Sequence, residues 1–298
     1  MADKKIPLII DTDPGVDDTL ALRMAFRSDL FDVKLVCSVA GNVSIELTTA
    51  NALYLTKAWG GDIPVAKGGA SPLGADASYV HGAGGLGGYK LPEHGYKLDG
   101  RDAVTAMYET LTAASEKITL VTLGPLTNIA DLIKAHPDCI GNIDRIYAMI
   151  ASKDCTGNIT PWAEFNSYCD PAALDTVIRS GAEIVFAPMH LGREAKLSMD
   201  EMLSRAGGTQ FGEMLKMMFS GYHDEAAGDG YVAMYDANSV EALIRPGLYD
   251  FVRCTASVNL NGHPGQTFLS ADERGGCFRI EIRDKKALDE AMLNDLFA

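Results

Sequence analysis

Five short runs dense in aliphatic residues, Pro7–Ile10, Val33–Val39, Ile118–Leu123, Arg145–Ile150 and Glu183–Ala187, set the tightest limit on what this chain can fold into. Each is short and largely apolar, so each reads as a strand buried on both faces, as in a parallel sheet. Helical patterns stand between them: Asp18–Phe26, Ile45–Trp59, Pro125–Ala135, Pro171–Arg179 and Met199–Met218, the last broken at Gly207-Gly208. Strand, loop and helix in repetition predict an α/β fold, an open and mostly parallel sheet with helices on both faces. Phe251–Leu260 and Cys277–Ile282 alternate more and predict antiparallel additions toward the C-terminus, before a final helix over Lys286–Phe297. With 298 residues, 47% of them hydrophobic, the chain can bury one large core. No internal repeat or Pro/Ser-rich linker divides it, and a single domain over 1–298 is expected. His81–Gly88 and Tyr222–Gly230 read as mobile surface loops.

A formal net charge of −14 argues against nucleic-acid or anionic-membrane partners, which need a basic face. Met1–Lys5 is polar, and Ile6–Ile10 is too brief for a signal-peptide core or a membrane span. The six cysteines (Cys37, Cys139, Cys155, Cys169, Cys254, Cys277) include no CxxC pair, which fits reduced thiols in a cytoplasm rather than a zinc site or a disulfide framework. Cys169 lies beside a candidate site, but reads as a small buried hydrophobe.

Ligands of an open α/β sheet sit outside the carboxyl ends of its strands. That directs attention to Asp11–Asp18, Val39–Val43, Leu123–Thr127, Ile150–Asn166 and Pro188–Arg193. The first carries four carboxylates in eight residues, Asp11-Thr12-Asp13-Pro14-Gly15-Val16-Asp17-Asp18. They repel one another at neutral pH unless a positive charge sits among them, and a hard divalent cation with oxygen ligands supplies one. The Pro14-Gly15 turn lets Asp13 and the Asp17-Asp18 pair converge. Helix capping and first-turn charges account for one or two aspartates, not four. An EF-hand starting at Asp11 would need an acid where Leu22 stands. A haloacid-dehalogenase-type Mg²⁺ phosphatase also places Asp-x-Asp after its first strand, and remains the alternative enzyme class.

The loop resembles the N-terminal signature of the inosine-uridine-preferring nucleoside hydrolase family. Val39-Ala40-Gly41-Asn42, Gly124-Pro125-Leu126-Thr127-Asn128-Ile129-Ala130, and Gly157-Asn158 with Ala163-Glu164-Phe165-Asn166 and Asp170-Pro171 resemble its later motifs, in the family's order. The resemblance implies a Rossmann-related sheet, one Ca²⁺ in a pocket, hydrolysis of the N-glycosidic bond of ribonucleosides, and a homo-oligomer, dimer or tetramer. Position by position, it makes Asp13 the base that activates a metal-bound water and also a ligand. Asp18, the Leu123 backbone carbonyl and Asp236 complete the metal site, and Asp11 supports the loop. Asp17 and Asn166 hold the ribose 2′- and 3′-hydroxyls; Asn158 and Glu164 hold the 5′ side, with Asn42 nearby. Taken alone, Asn42 is a turn residue, Asn158 a loop amide, Glu164–Asn166 a surface patch, and Asp236 an N-cap for a helix over Ala237–Leu243.

The chain departs from the pattern where many relatives carry His before the last metal-ligand Asp, a residue linked to leaving-base protonation. Tyr235 stands there, and a phenol is a different acid from imidazole. His81 and His223, with Tyr222, are the other candidates near the leaving base. Ile150-Ala151-Ser152 and His190-Leu191-Gly192 also replace common family runs. A non-catalytic nucleoside- or ribose-binding relative is the alternative from outside enzymology, and Tyr235 is the feature that favours it.

Overall fold

The computed structural model describes residues 4–74 and 76–298, so most of the Met1–Lys5 stretch lies outside it. Eleven strands are described: β1 (Ile6–Thr12), β2 (Phe31–Ser38), β3 (Val65–Lys67), β4 (Ile118–Thr122), β5 (Ile143–Met149), β6 (Ile184–Ala187), β7 (Lys196–Ser198), β8 (Tyr231–Ala233), β9 (Tyr249–Val258), β10 (Thr267–Ala271) and β11 (Cys277–Ile282). Nine form one sheet in the order β10-β9-β11-β6-β5-β4-β1-β2-β3, while β7 and β8 pair as a small antiparallel ribbon.

From β6 to β3 every pairing is parallel, as the five apolar runs predict. Burial explains the composition: all five residues of β4 and all four of β6 are buried. At the other edge β9 is antiparallel to β10 and β11, but β11 itself runs parallel to β6, so only part of the C-terminal addition reverses direction. Apolar clusters fill both faces of the sheet. Helices α1 (Val16–Arg27), α2 (Ile45–Trp59), α3 (Ser78–His81), α4 (Ala103–Ala113), α5 (Thr127–Ala135), α6 (Phe165–Cys169), α7 (Pro171–Arg179), α8 (His190–Glu194), α9 (Met199–Ala206), α10 (Gln210–Phe219), α11 (Ala237–Ile244) and α12 (Lys285–Leu296) surround it. The expected break at Gly207-Gly208 separates α9 from α10, and Gly207 takes the positive φ (55°) that glycine tolerates.

After β1 the chain moves outward to β2 and β3, then returns to place β4 on the opposite side of β1. This reversal opens a crevice beyond the carboxyl ends of β1 and β4, the usual ligand position in such sheets. All six cysteines are free, five of them buried, including Cys169. Among the described residues no helix is long and apolar enough to cross a membrane.

Candidate functional site

The aspartate loop lies in that crevice. Asp11 and Thr12 end β1, and Asp13-Pro14-Gly15 turn the chain into α1, whose first turn carries Asp17 and Asp18. All four aspartates are buried. Asp18 is the most tethered: its Oδ1 accepts from the Thr12 hydroxyl (2.6 Å), and its Oδ2 accepts from Gly15 N (2.9 Å) and Asn42 Nδ2 (3.0 Å). Part of its work is thus helix capping, the bland reading of its position. Asp13 Oδ2 accepts from Asn42 N (2.8 Å), while its Oδ1 is buried with no partner. Cβ atoms on Gly41 and Gly124 would overlap the two Asp13 carboxylate oxygens, so these glycines make the room the carboxylate occupies.

Asp236 enters from the far end of the chain. It directly precedes α11 yet makes no side-chain cap. Its carboxylate instead joins those of Asp17 and Asp18, with one oxygen from each within 4.8 Å of the others. That convergent set contains Asp17 where the sequence pairing placed Asp13. Burial first, and then the neighbouring aspartate charges, push Asp13, Asp17 and Asp236 well above the usual carboxylate range. Asp17 Oδ1, like Asp13 Oδ1, has no hydrogen-bond partner.

This donor set suits a hard divalent cation. Ligand oxygens at about 2.4 Å from one ion stand at most about 4.8 Å apart, and Ca²⁺ takes six to eight such oxygens. A cation also resolves the clustering of buried carboxylates, two of which leave an oxygen without a donor.

The remaining residues divide between scaffold and cavity. Asn128 ties the crevice together: its Nδ2 donates to Asp11 Oδ1 (2.7 Å) and the Ser38 carbonyl (2.9 Å), and its Oδ1 accepts from Gly69 N (2.9 Å). Burial pushes Asp11 up to about 7 despite the Asn128 bond, and its Oδ2 is unpartnered. Asp170 caps α7 and accepts from the Thr127 hydroxyl (2.8 Å), so this motif residue pins α5 to α7. Glu164 caps α6: Oε1 accepts from Asn166 N, and Oε2 from Ala151 N, Ser167 N and Ser167 Oγ. Asn166 Nδ2 donates to the carbonyls of Leu123 (2.8 Å) and Met149 (2.9 Å). Asn42 is spent on Asp13 and Asp18, so three residues expected near the sugar also bear local structure.

A cavity of about 710 Å³ opens above the carboxylates. Asp17, Asn42, His81, Leu123, Asn158, Glu164, Asn166, His223, Tyr235 and Asp236 all line it, whereas Asp13 and Asp18 lie beneath. Asn158 and His223 are exposed at its mouth. His81 is buried and 3.8 Å from Asp17, and its Nδ1 accepts from Val16 N (3.2 Å), which leaves the ring proton on Nε2. Burial lowers its pKa to about 4, so the ring is neutral at pH 7. The segments expected as mobile loops meet here: His223 N donates to the Val80 carbonyl (2.9 Å), and the His81 and Tyr222 rings lie 5.9 Å apart. Tyr235 rests on Gly192, and a Cβ there would overlap the phenol ring. Burial, then Asp224, push that phenol above its ordinary range and favour its protonated form. Arg193 of α8, Met149 at the end of β5 and Asp224 after α10 line the same cavity, although none of them belongs to a recognisable motif.

The model of the inosine-uridine preferring nucleoside hydrolase family matches residues 8–291. The chain is 39% identical over 290 residues to the non-specific ribonucleoside hydrolase RihC of Escherichia coli, covering 96% of this chain and 94% of that one. It is 40% identical over 274 residues to the RihC of Salmonella paratyphi B, covering 90% and 89%. Among solved structures, a plant nucleoside hydrolase superposes with a TM-score of 0.90 at 26% identity over 99% of this chain and 100% of that chain. A purine-preferring ribonucleoside hydrolase from Gardnerella vaginalis gives 0.87 at 26% identity over 97% and 98%.

Proposed function

The chain belongs to the inosine-uridine preferring nucleoside hydrolase family, and from that premise we propose that it is a Ca²⁺-dependent ribonucleoside hydrolase releasing ribose and free base. The observation that carries the chemistry is the convergence of Asp17, Asp18 and Asp236 beside the unpartnered Asp13 Oδ1, at the floor of a cavity large enough for a nucleoside.

Asp18 and Asp236 would hold the cation, with Asp13 and the Leu123 carbonyl completing the set and Asp17 beside them. A divalent cation held by these residues would offset the carboxylate charge and would supply the acidification of the attacking water. Asp13 Oδ1 takes the proton as water attacks C1′ and the C1′–N bond breaks. Positive charge grows on the ribose ring during that step, and the carboxylates of the floor stabilise it where it forms. Asp17 and Asn166 bind the 2′- and 3′-hydroxyls, while Asn158 and Glu164 face the 5′-hydroxyl, with Asn42 holding the loop in register. These contacts spend binding energy on alignment of C1′ with the water.

Tyr235, kept neutral, donates a proton or hydrogen bond to the departing base. His81 is neutral and cannot act as an imidazolium, but its Nε2–H is free to donate; His223 at the mouth is the third donor.

The reading is tested by incubating the protein with purine and pyrimidine ribonucleosides, with Ca²⁺ and with chelator, and assaying reducing sugar. Ribose release that chelation abolishes is expected. Tight nucleoside binding with no ribose released would establish the non-catalytic alternative instead.

A further inference from the structure

Among the described residues that line the cavity, Arg193 is the only lysine or arginine, and the same lining carries Asp17, Glu164, Asp224, Glu225 and Asp236. An arginine with only a structural task in so acidic a place would bind a carboxylate. Arg193 forms no ion pair among the described residues, and its Nε is buried with no hydrogen-bond partner. Nη2 donates a long hydrogen bond to the Gly157 carbonyl (3.4 Å), and the Tyr235 phenol is the guanidinium's other polar neighbour. The guanidinium also lies close enough to the Tyr235 phenol to pull its pKa downward. A half-buried, charged fork whose Nε is buried without a partner has donor capacity left for an acceptor from elsewhere.

The two contacts fix where that acceptor lies. Gly157 adjoins Asn158, on the side of the cavity proposed for the ribose 5′-hydroxyl, and Tyr235 stands at the leaving-group end. A purine nucleoside in the anti conformation turns its imidazole edge toward C5′, which brings N7, and O6 beside it, to the span between Gly157 and Tyr235. Resting on the hydrolase reading above, we propose that Arg193 is a specificity-determining residue that donates to N7 and O6 of a 6-oxopurine base.

Guanidinium matches this pair of acceptors with two parallel N–H donors. Adenine offers N7 but turns an amino donor toward the fork, so adenosine loses the second bond and gains a donor–donor clash. Charge that accumulates on the imidazole ring as C1′–N9 breaks strengthens the N7 contact, so the preference appears in the rate as well as in binding. The nucleophile side of the site plays no part in this discrimination.

The test compares kcat/KM for inosine, adenosine and p-nitrophenyl β-D-riboside, with Ca²⁺ present, in wild type, Arg193→Met and Arg193→Lys. The nitrophenyl leaving group needs no protonation and has no N7 or O6, so it reports the ribose and water half of the reaction alone. Wild type should favour inosine over adenosine by about tenfold or more. Arg193→Met should lower the inosine value by roughly ten- to a hundredfold, while adenosine and the nitrophenyl riboside stay within about threefold. Arg193→Lys keeps the charge and a donor without the fork and should lower the inosine-to-adenosine ratio by less than Arg193→Met does, while an unchanged ratio would overturn the inference. If the Met variant fails to fold, the Lys variant carries the test alone. A wild type without inosine preference, or a parallel loss on all three substrates, overturns the inference. Wild type that cleaves none of the three defeats the hydrolase reading itself.

Discussion

Asn128→Ala tests how the crevice between β1 and β4 is held open for chemistry. The native side chain makes three hydrogen bonds: two buried ones donated to Asp11 Oδ1 and the Ser38 carbonyl, and a partly buried one accepted from Gly69 N. Each is worth about 1 kcal/mol net, and each of the two buried partners, Asp11 and Ser38, left unsatisfied costs roughly 1–3 kcal/mol. Asp11 fares worst, because its Oδ2 already lacks a partner. The side-chain atoms removed leave space for a water that recovers part of the loss, so the expected destabilisation is about 3 kcal/mol. In a chain of this size that corresponds to a fall in Tm of about 6 °C. Differential scanning calorimetry at pH 7 measures it, with Asn261→Ala as an exposed control expected to shift by less than about 1 °C. Turnover should fall as well, since Asp11 anchors the strand end that presents Asp13. An Asn128→Ala melt within about 1 °C of wild type would show that Asn128 does not brace the crevice.

Gly41→Ala would drive a methyl group into Asp13 Oδ2, so hydrolysis should fall about a hundredfold or more while circular dichroism stays native; normal turnover would mean the Asp13 position is not critical. Ca²⁺ at about a hundred times its Kd should add about 2.7 kcal/mol of stability, and Asp236→Asn should remove most of that gain in a thermal melt. Glu241 supplies a pH test away from the site. Burial first, then Asp295, push its pKa up to about 8, against the stabilising pull of Arg245. The folded state therefore keeps a proton that the unfolded chain has released above its ordinary pKa of about 4.3, and stability falls as pH rises through that window to about 8. Glu241→Gln should raise stability by on the order of 2 kcal/mol at pH 8 and by almost nothing near pH 4.5, measured by urea unfolding. An equal effect at both pH values would mean that Glu241 ionisation is not involved.

The fold was legible wherever burial left a compositional mark. Strands enclosed on both faces carry largely apolar runs, and all five were readable from them. Val65–Lys67 has three residues at a sheet edge, and β10 has only two buried residues of five, so neither leaves a pattern. Helix α4 left a better signal in its Asp102 cap, bonded to Thr105 N at 2.9 Å, but it follows a long glycine- and tyrosine-containing stretch that obscures its start. Asp13, Asp17 and Asp18 were conspicuous because clustered carboxylates are costly without a cation. Which of them converge with Asp236 depends on side-chain rotation after the Pro14-Gly15 turn, and spacing alone does not specify it. Asn42 and Glu164 looked like sugar contacts, whereas the structure adds a bracing role that only three-dimensional neighbours reveal. Arg193 went unnoticed because a lone arginine on a one-turn helix has no signature; its meaning comes from the acidic cavity around it.

The most direct measurement sets wild type beside Asp13→Asn in a ribose-release assay at saturating Ca²⁺. Asp13 Oδ1 is buried and unpartnered, and amide replacement keeps its shape while removing its basicity. Wild type should release ribose and base in equal amounts, and the variant should retain its melting profile while losing at least about a thousandfold in kcat. A variant that turns over within about tenfold of wild type would contradict the assignment of Asp13 as the base and, with it, the mechanism built on the aspartate loop.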